Sequence, residues 1–240
     1  MKKTLVVIAV LGVLFSTSFA FAEQTGVYLA PKFVYSYQRI DNAEIKVEVE
    51  GLGSDSAGLD SEKDSSFGGA IAIGYDFNPN FKTPVRMEVE YAMRSESEGE
   101  YSDAFYIGSD LYRDSGTMKF DVQSVFLNVF YDIETGTAFT PYVGGGLGVA
   151  FIDAEGELKL SENGVRIYDD SASDSVTNFA FNLALGVGYD VSEFFTLDLG
   201  YRYADFGNAE TGDVGVAPLE VKGEADLIAH EVLLGLRYTF

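Results

Sequence analysis

Acidic and basic residues recur at even spacings at Arg86, Glu88, Glu90 and Arg94, with Asp198 and Arg202, and Glu231 and Arg237, in similar surroundings further on. Even spacing puts side chains on one face of a β-strand, so these charges would line one surface, where opposite signs could pair. Other chemistry has less to work with. His230 is the only histidine, and the chain has no cysteine, which excludes disulfides and Cys-ligated metals. A Ser-His-Asp arrangement needs a base facing a cleft, whereas His230 shares its phase with the apolar Ile228 and Val232. Asp169 and Asp170 with Asp174, and Asp60 and Glu62 with Asp64, could offer oxygens to a divalent cation, but neither set matches an EF-hand loop. Gly144-Gly145-Gly146-Leu147-Gly148 has no helix after it and is not a phosphate loop. No catalytic, metal or cofactor site is expected, and the chain reads as non-enzymatic.

The elements that would position the charges alternate with period two. Val27, Leu29, Pro31, Phe33, Tyr35 and Tyr37 oppose Tyr28, Ala30, Lys32, Val34, Ser36 and Gln38; Phe67, Ile71, Ile73, Tyr75 and Phe77 oppose Gly68, Ala70, Ala72, Gly74 and Asp76. Val85, Met87, Val89, Tyr91 and Met93 then oppose the row Arg86, Glu88, Glu90, Ala92 and Arg94. Similar segments run through Val143–Phe151, Phe179–Tyr189, Phe195–Tyr203 and Ile228–Phe240. A further one, about Met118 to Asp132, changes phase between Val122 and Val125, which predicts a bulge near Gln123 and Ser124.

These segments, about ten residues each with one apolar face, predict an all-β fold: an eight-stranded antiparallel transmembrane β-barrel with long extracellular loops. A closed barrel pairs every backbone polar group without leaving an edge, as lipid demands. A soluble barrel would share the period, but the Phe- and Tyr-rich apolar face and the charged opposite face favour the membrane. Lys2 and Lys3, the apolar run Leu5 to Phe15 and Ala20-Phe21-Ala22 form a signal-peptide pattern, so residues 1–22 are expected to be removed and 23–240 to form the barrel. Losing two lysines takes the formal charge from −22 to −24. Such acidity opposes nucleic-acid binding, which needs clustered Lys and Arg.

The connections alternate in length. Asn78 to Pro84, Asp132 to Thr140 and Val191 to Phe194 are short, as periplasmic turns are. Asp41 to Ser65, Ser95 to Thr117, Ala154 to Val176 and Gly207 to Glu224 are long, and together hold 24 Asp and Glu against 6 Lys and Arg, a net of −18. They would face outward. Asn163-Gly164 is a strong hairpin signal, and Ile45, Val47 and Val49 alternate with charged residues, so both stretches are expected to rise above the membrane as ribbons. Inside, Gly144, Gly146, Gly148, Gly186 and Gly188 would leave room for a charge network of Arg86, Glu88, Glu90, Arg94, Asp198, Arg202, Glu231 and Arg237. An eight-stranded barrel is just wide enough for its side chains to fill.

Thr140-Pro141-Tyr142-Val143-Gly144-Gly145-Gly146-Leu147-Gly148, Leu199-Gly200-Tyr201-Arg202-Tyr203 and the closing strand His230 to Phe240 resemble segments of the opacity-protein and OmpA-like outer-membrane barrel family. The resemblance spans nearly all of the chain after the signal. It implies export through the periplasm to the outer membrane of a Gram-negative cell, lumen positions for Glu90 and Arg202, and Tyr238 and Phe240 as part of a signal read by the barrel-assembly machinery. It also implies contact with outer-membrane lipid and lipopolysaccharide. Unlike OmpA, the chain is expected to end at the barrel, without a peptidoglycan-binding domain. Its acidic loops suit solvation, a divalent cation or an extracellular partner better than the heparin binding of basic loops. Two functions stay open: a surface protein displaying acidic loops, or a narrow porin-like channel or carrier for small solutes. A lipid-modifying barrel enzyme is a third, weaker class.

Overall fold

The computed structural model describes residues 25–49, 53–58, 63–107, 110–210, 214–216 and 219–240; the expected signal at 1–22 lies outside them. The strands are β1 (Val27–Val49), β2 (Gly53–Gly58), β3 (Lys63–Asp76), β4 (Val85–Arg94), β5 (Ser97–Ile107), β6 (Asp110–Asp132), β7 (Phe139–Glu162), β8 (Val165–Asp190), β9 (Phe195–Glu210), β10 (Val214–Val216) and β11 (Leu219–Thr239). One short helix, α1 (Asn78–Phe81), sits in the β3–β4 turn. All pairings are antiparallel, from β1–β3 through β3–β4, β4–β6, β6–β7, β7–β8, β8–β9 and β9–β11. The circuit closes where β11 pairs back to β1.

The expectation of eight strands is corrected. The described residues form eleven strands in one sheet: ten follow one another along the path of pairing, and β5 lies outside it, joined to β6. The difference arises in stretches read as loops. β2, β5 and β10 pair with the outer lengths of β1, β6 and β11. Counting apolar-faced segments finds only strand that touches lipid; beyond it, pairing continues without an alternating apolar face to announce it.

The predicted bulge is also corrected. β6 keeps one register against β7 from Tyr112↔Glu162 to Asp132↔Tyr142. Its even residues, from Phe120 through Phe126 and Phe130 to Asp132, are buried. The apparent change of phase lies in the inward residues, which are apolar at Phe120 and Val122 and then alternate through Ser124, Phe126, Asn128, Phe130 and Asp132, with no slip of the backbone against β7. Shifts instead fall at Asp41/Glu44 in β1 and Asp226/Ile228 in β11, where an extra residue bends a strand, and between Leu160 and Ser161 in the β7–β8 ribbon.

Alternation produces the barrel wall. Ile73, Leu147 and Leu183 are 60%, 62% and 62% exposed, while Ala72, Ala150 and Ala180 on the other face are buried. So wide an apolar exterior is stable only against lipid. Aromatic contacts cluster at its two ends. At the end of the short turns Tyr75, Phe77 and Phe81 meet, as do Phe139 with Tyr189 and Tyr238 with Phe195 and Phe240. At the other end Phe67 lies against Phe33 and Tyr35, and Phe181 against Tyr203. Two such girdles mark the membrane interfaces. β7 and β8 rise past the outer one and turn through Asn163 and Gly164, at φ +50° and +83°. Positive φ at both central residues is the turn whose twist matches a hairpin.

Candidate functional site

β4 carries Glu88, Glu90 and Arg94 on its inward face, and β9 and β11 bring Arg202 and Glu231 to the opposite wall as direct cross-strand partners. Lys32 Nζ on β1 lies 2.5 Å from Glu88 and 2.6 Å from Glu90. Glu90 also accepts from Arg202, whose Nε donates to Glu231 at 2.6 Å; Glu231 in turn accepts from Arg94 Nε at 2.6 Å. Three cations and three carboxylates thus form one chain across the lumen, with Arg94 and Glu231 fully buried side chains. Charges so far from water persist only when paired and hydrogen-bonded. Nearer the short turns, Arg86 grips Asp132 with two hydrogen bonds of 2.7 and 2.9 Å, and Arg237 lies 3.4 Å from Asp198.

Toward the long-ribbon end the lumen becomes apolar. Phe120, Val122, Phe126, Ile152, Phe206 and Leu227 pack together with small alanines. Arg94 sits 4.5 Å over the Phe206 ring and Arg202 5.7 Å over Phe126, so cations cap the apolar layer from below. The inward glycines make this filling possible. A Cβ on Gly148 would stand 2.8 Å from the Phe126 ring, one on Gly144 2.5 Å from Phe130, and one on Gly186 2.5 Å from Tyr142. A cavity of about 40 Å³ remains beside Lys32, Glu88, Asn128 and Asn182, too small for a solute. A wider one of about 480 Å³ lies at the short-turn end among Asp76, Asp132, Asp190 and Glu193.

The eight charges singled out in the sequence all face inward. Arg86, Glu88, Glu90, Arg94, Arg202, Glu231 and Arg237 are buried, and Asp198 is half-buried. They form three groups, and two of those groups need members outside that set. Lys32 has a weak signal, its shared phase with Tyr28 and Ala30, but it is the lone charge on that face and is not among the expected lumen charges. Asp132 opens the connection expected from Asp132 to Thr140 and so is not among the expected lumen charges. The apolar layer had a signal too, in the even residues of β6. The glycines face aromatic rings more than charged chains, though Gly188 does adjoin Arg237 and Asp198. His230 faces outward between Tyr201 and Tyr203, with Nδ1 2.6 Å from the Tyr201 hydroxyl. Phe240 is tied to the first strand, its N–H donating to Val27 O at 2.9 Å and its carbonyl accepting from Thr25 N at 2.7 Å.

The ribbons hold charge differently. Asp169 pairs with Arg166 at 2.6 Å, both largely exposed. Asp170 accepts from the Tyr168 hydroxyl at 3.0 Å, and Tyr112 donates to Glu162 at 2.8 Å. Each bond to a carboxylate raises that tyrosine's pKa above its ordinary value. Asp169 and Asp170 fall on opposite faces of β8 and do not converge with Asp174. No group of three metal-ligating side chains occurs among the described residues. Asp60 and Glu62 lie outside those residues, and nothing is described of the Asp64 side chain.

The family model described as "Outer membrane protein beta-barrel domain" matches residues 6–240. The chain is 26% identical over 224 residues to the outer membrane protein PagN of Salmonella typhimurium, covering 90% of each. It is 25% identical over 178 residues to a Rickettsia conorii protein named "Putative adhesin", covering 74% of this chain and 69% of that one. Among solved structures, OprG from Pseudomonas aeruginosa superposes with a TM-score of 0.52 at 16% identity, covering 91% of this chain and 98% of that one, a likeness of fold alone.

Proposed function

Because the chain belongs to the outer-membrane protein beta-barrel family and so sits in the outer membrane of a Gram-negative cell, we propose that it is a non-enzymatic surface protein. The barrel anchors it, and the acidic ribbons make contact with the exterior. The observation that carries this reading is the contrast along β6, β7 and β8: inside the girdles their inward residues fill the lumen, and beyond them the same strands continue as a paired, charged ribbon. The adhesin name of the Rickettsia relative agrees with a surface role. The alternative of a narrow pore needs a continuous lumen, and the buried ion pairs and the apolar layer oppose one.

The test is cell attachment. Bacteria displaying the full chain are compared with bacteria whose ribbon is shortened by joining Gly156 to Ala172 through Asn-Gly. Attachment to host cells or to a basic protein film should fall while outer-membrane levels stay equal. Equal attachment, combined with a steady single-channel conductance of the wild type, would replace this reading with the pore. The outward aromatic band would lie against lipid and lipopolysaccharide. Tyr238 and Phe240 would be read by the assembly machinery, so Phe240→Asp should lower outer-membrane levels more than refolding yield in detergent.

A further inference from the structure

β8 changes partners along its length. From Phe181 to Asp190 it lies between β7 and β9. Above Phe181, among the described residues, its ladder partner is β7 alone; β10 approaches β8 without pairing with it. Asn178 marks the fork: its side-chain amide donates to the carbonyls of Phe206 at 3.1 Å and Asn208 at 2.5 Å, where β9 turns away through Gly207 at φ +78°. The direction of the backbone groups follows from one bond. Asp190 N–H donates to Ala138 on the β7 side, and in a strand the N–H groups alternate sides, so odd-numbered residues of β8 point away from β7. Above the fork these include Asp169, Ser171, Ser173 and Ser175.

Two of these outward donors show what stands in for the missing strand. Ser171 N–H donates to Asp170 Oδ1 at 3.0 Å, and Ser175 N–H to Asp174 Oδ1 at 2.8 Å. The carboxylates of this edge fold back onto their own backbone, and Ser173 lies between them. An unpaired row of N–H and C=O groups is a template for another strand. The charge selects which strand. Asp169, Asp170 and Asp174 on β8, with Asp153, Glu155 and Glu157 on β7, oppose a second copy of the same edge, since like charges across a strand pair destabilise it.

We infer that the edge of β8 from Asp169 to Ser175 is a docking site for an extended, basic protein segment, which adds to the ribbon as a further strand. Its main chain takes over the outward N–H groups of Ser171, Ser173 and Ser175. Its Lys or Arg side chains take the released Asp170 and Asp174 carboxylates. Backbone pairing supplies affinity and the alternating charges supply selectivity, as in other strand-addition complexes. The inference rests on the surface-contact reading and names the partner's chemistry.

The test uses the full chain refolded in detergent and, as probe, a ten-residue peptide of alternating Lys and Thr. A control peptide has the same sequence with alternate backbone amides N-methylated, which keeps the charge and removes main-chain pairing. Ser173→Pro places a ring on the free edge without removing a bond to β7. The expected result is binding by fluorescence anisotropy, slowed amide exchange at Ser171, Ser173 and Ser175, and at least tenfold weaker binding for both the N-methylated peptide and the Ser173→Pro protein. Asp170→Asn/Asp174→Asn should weaken binding as well. Undiminished binding to Ser173→Pro and of the N-methylated peptide would overturn the edge and leave general acidic attraction, with the surface-contact reading intact. Protection of these amides by lipopolysaccharide micelles but not by the peptide, or by raised protein concentration alone, would also overturn it, assigning the edge to lipid or to a second copy.

Discussion

Lumen and ribbon are built from the same strands and hold the same kinds of charge, yet the charges do opposite work. Arg94 and Glu231 meet at 2.6 Å with no exposed side-chain surface. Arg166 and Asp169 meet at the same 2.6 Å with 62% and 44% of their side chains in water. Distance alone therefore says nothing about importance. In the lumen neither charge has water as an alternative partner, so losing one leaves the other stranded; on the ribbon solvent replaces the lost partner. The lumen charges specify the interior, and those of the ribbon remain available to something outside.

The largest expected effect follows from breaking the lumen side of this contrast. Arg202 serves both Glu90 and Glu231. Arg202→Ala should cost about 3–5 kcal/mol, the usual penalty for removing one partner of a buried pair. Urea unfolding followed by circular dichroism reads this, and loss of the cold-SDS mobility shift accompanies it. A loss below about 1 kcal/mol would mean that the lumen is as wet as the ribbon, and the contrast would fail.

Packing sharpens the comparison further. Gly146→Ala should be among the worst small substitutions, since its Cβ would lie 2.0 Å from Asn128 Oδ1 and 2.7 Å from Asn182 Nδ2. Those two amides already bond each other at 2.9 Å, so neither is free to move aside. Overpacking of this kind costs about 1–3 kcal/mol. Gly164→Ala at the ribbon tip meets nothing within 4 Å. Its cost comes from backbone at φ +83°, about 1–2 kcal/mol for a left-handed residue with a Cβ. That loss should appear as faster amide exchange in the ribbon, while the barrel's unfolding midpoint stays put. A lowered midpoint for Gly164→Ala would show that ribbon and barrel unfold together.

The sequence made the barrel wall legible because lipid enforces period two with one apolar face, so that Phe67 to Asp76 and Val85 to Arg94 read cleanly. It also exposed the inward charges of β4, β9 and β11. It hid Lys32 and Asp132 for different reasons. Lys32 stands alone on a face of otherwise uncharged residues, and Asp132 ends its strand and reads as the first residue of the short connection to Thr140. A lumen filled partly by aromatic rings over glycines breaks the rule that apolar means outward. Strand number is not legible at β2, β5 and β10, which pair only with the outer lengths of other strands and carry no ten-residue apolar face. The edge of β8 depends on where β9 leaves it, a long-range fact that no local pattern contains.

The smallest effect tests the ribbon side. Asp169→Ala removes an exposed ion pair three residues apart, and stability should change by no more than about 0.5 kcal/mol, as for most surface substitutions. The 2.6 Å separation does not make the contact strong, because both groups regain water when it breaks and the long side chains regain their freedom. Urea midpoints of wild type and variant should coincide within error at moderate salt. Added salt should leave their difference unchanged, there being almost nothing left to screen. A drop comparable with that of Arg202→Ala would place Asp169 within the cooperative fold and turn the ribbon from a displayed surface into part of the barrel's own support.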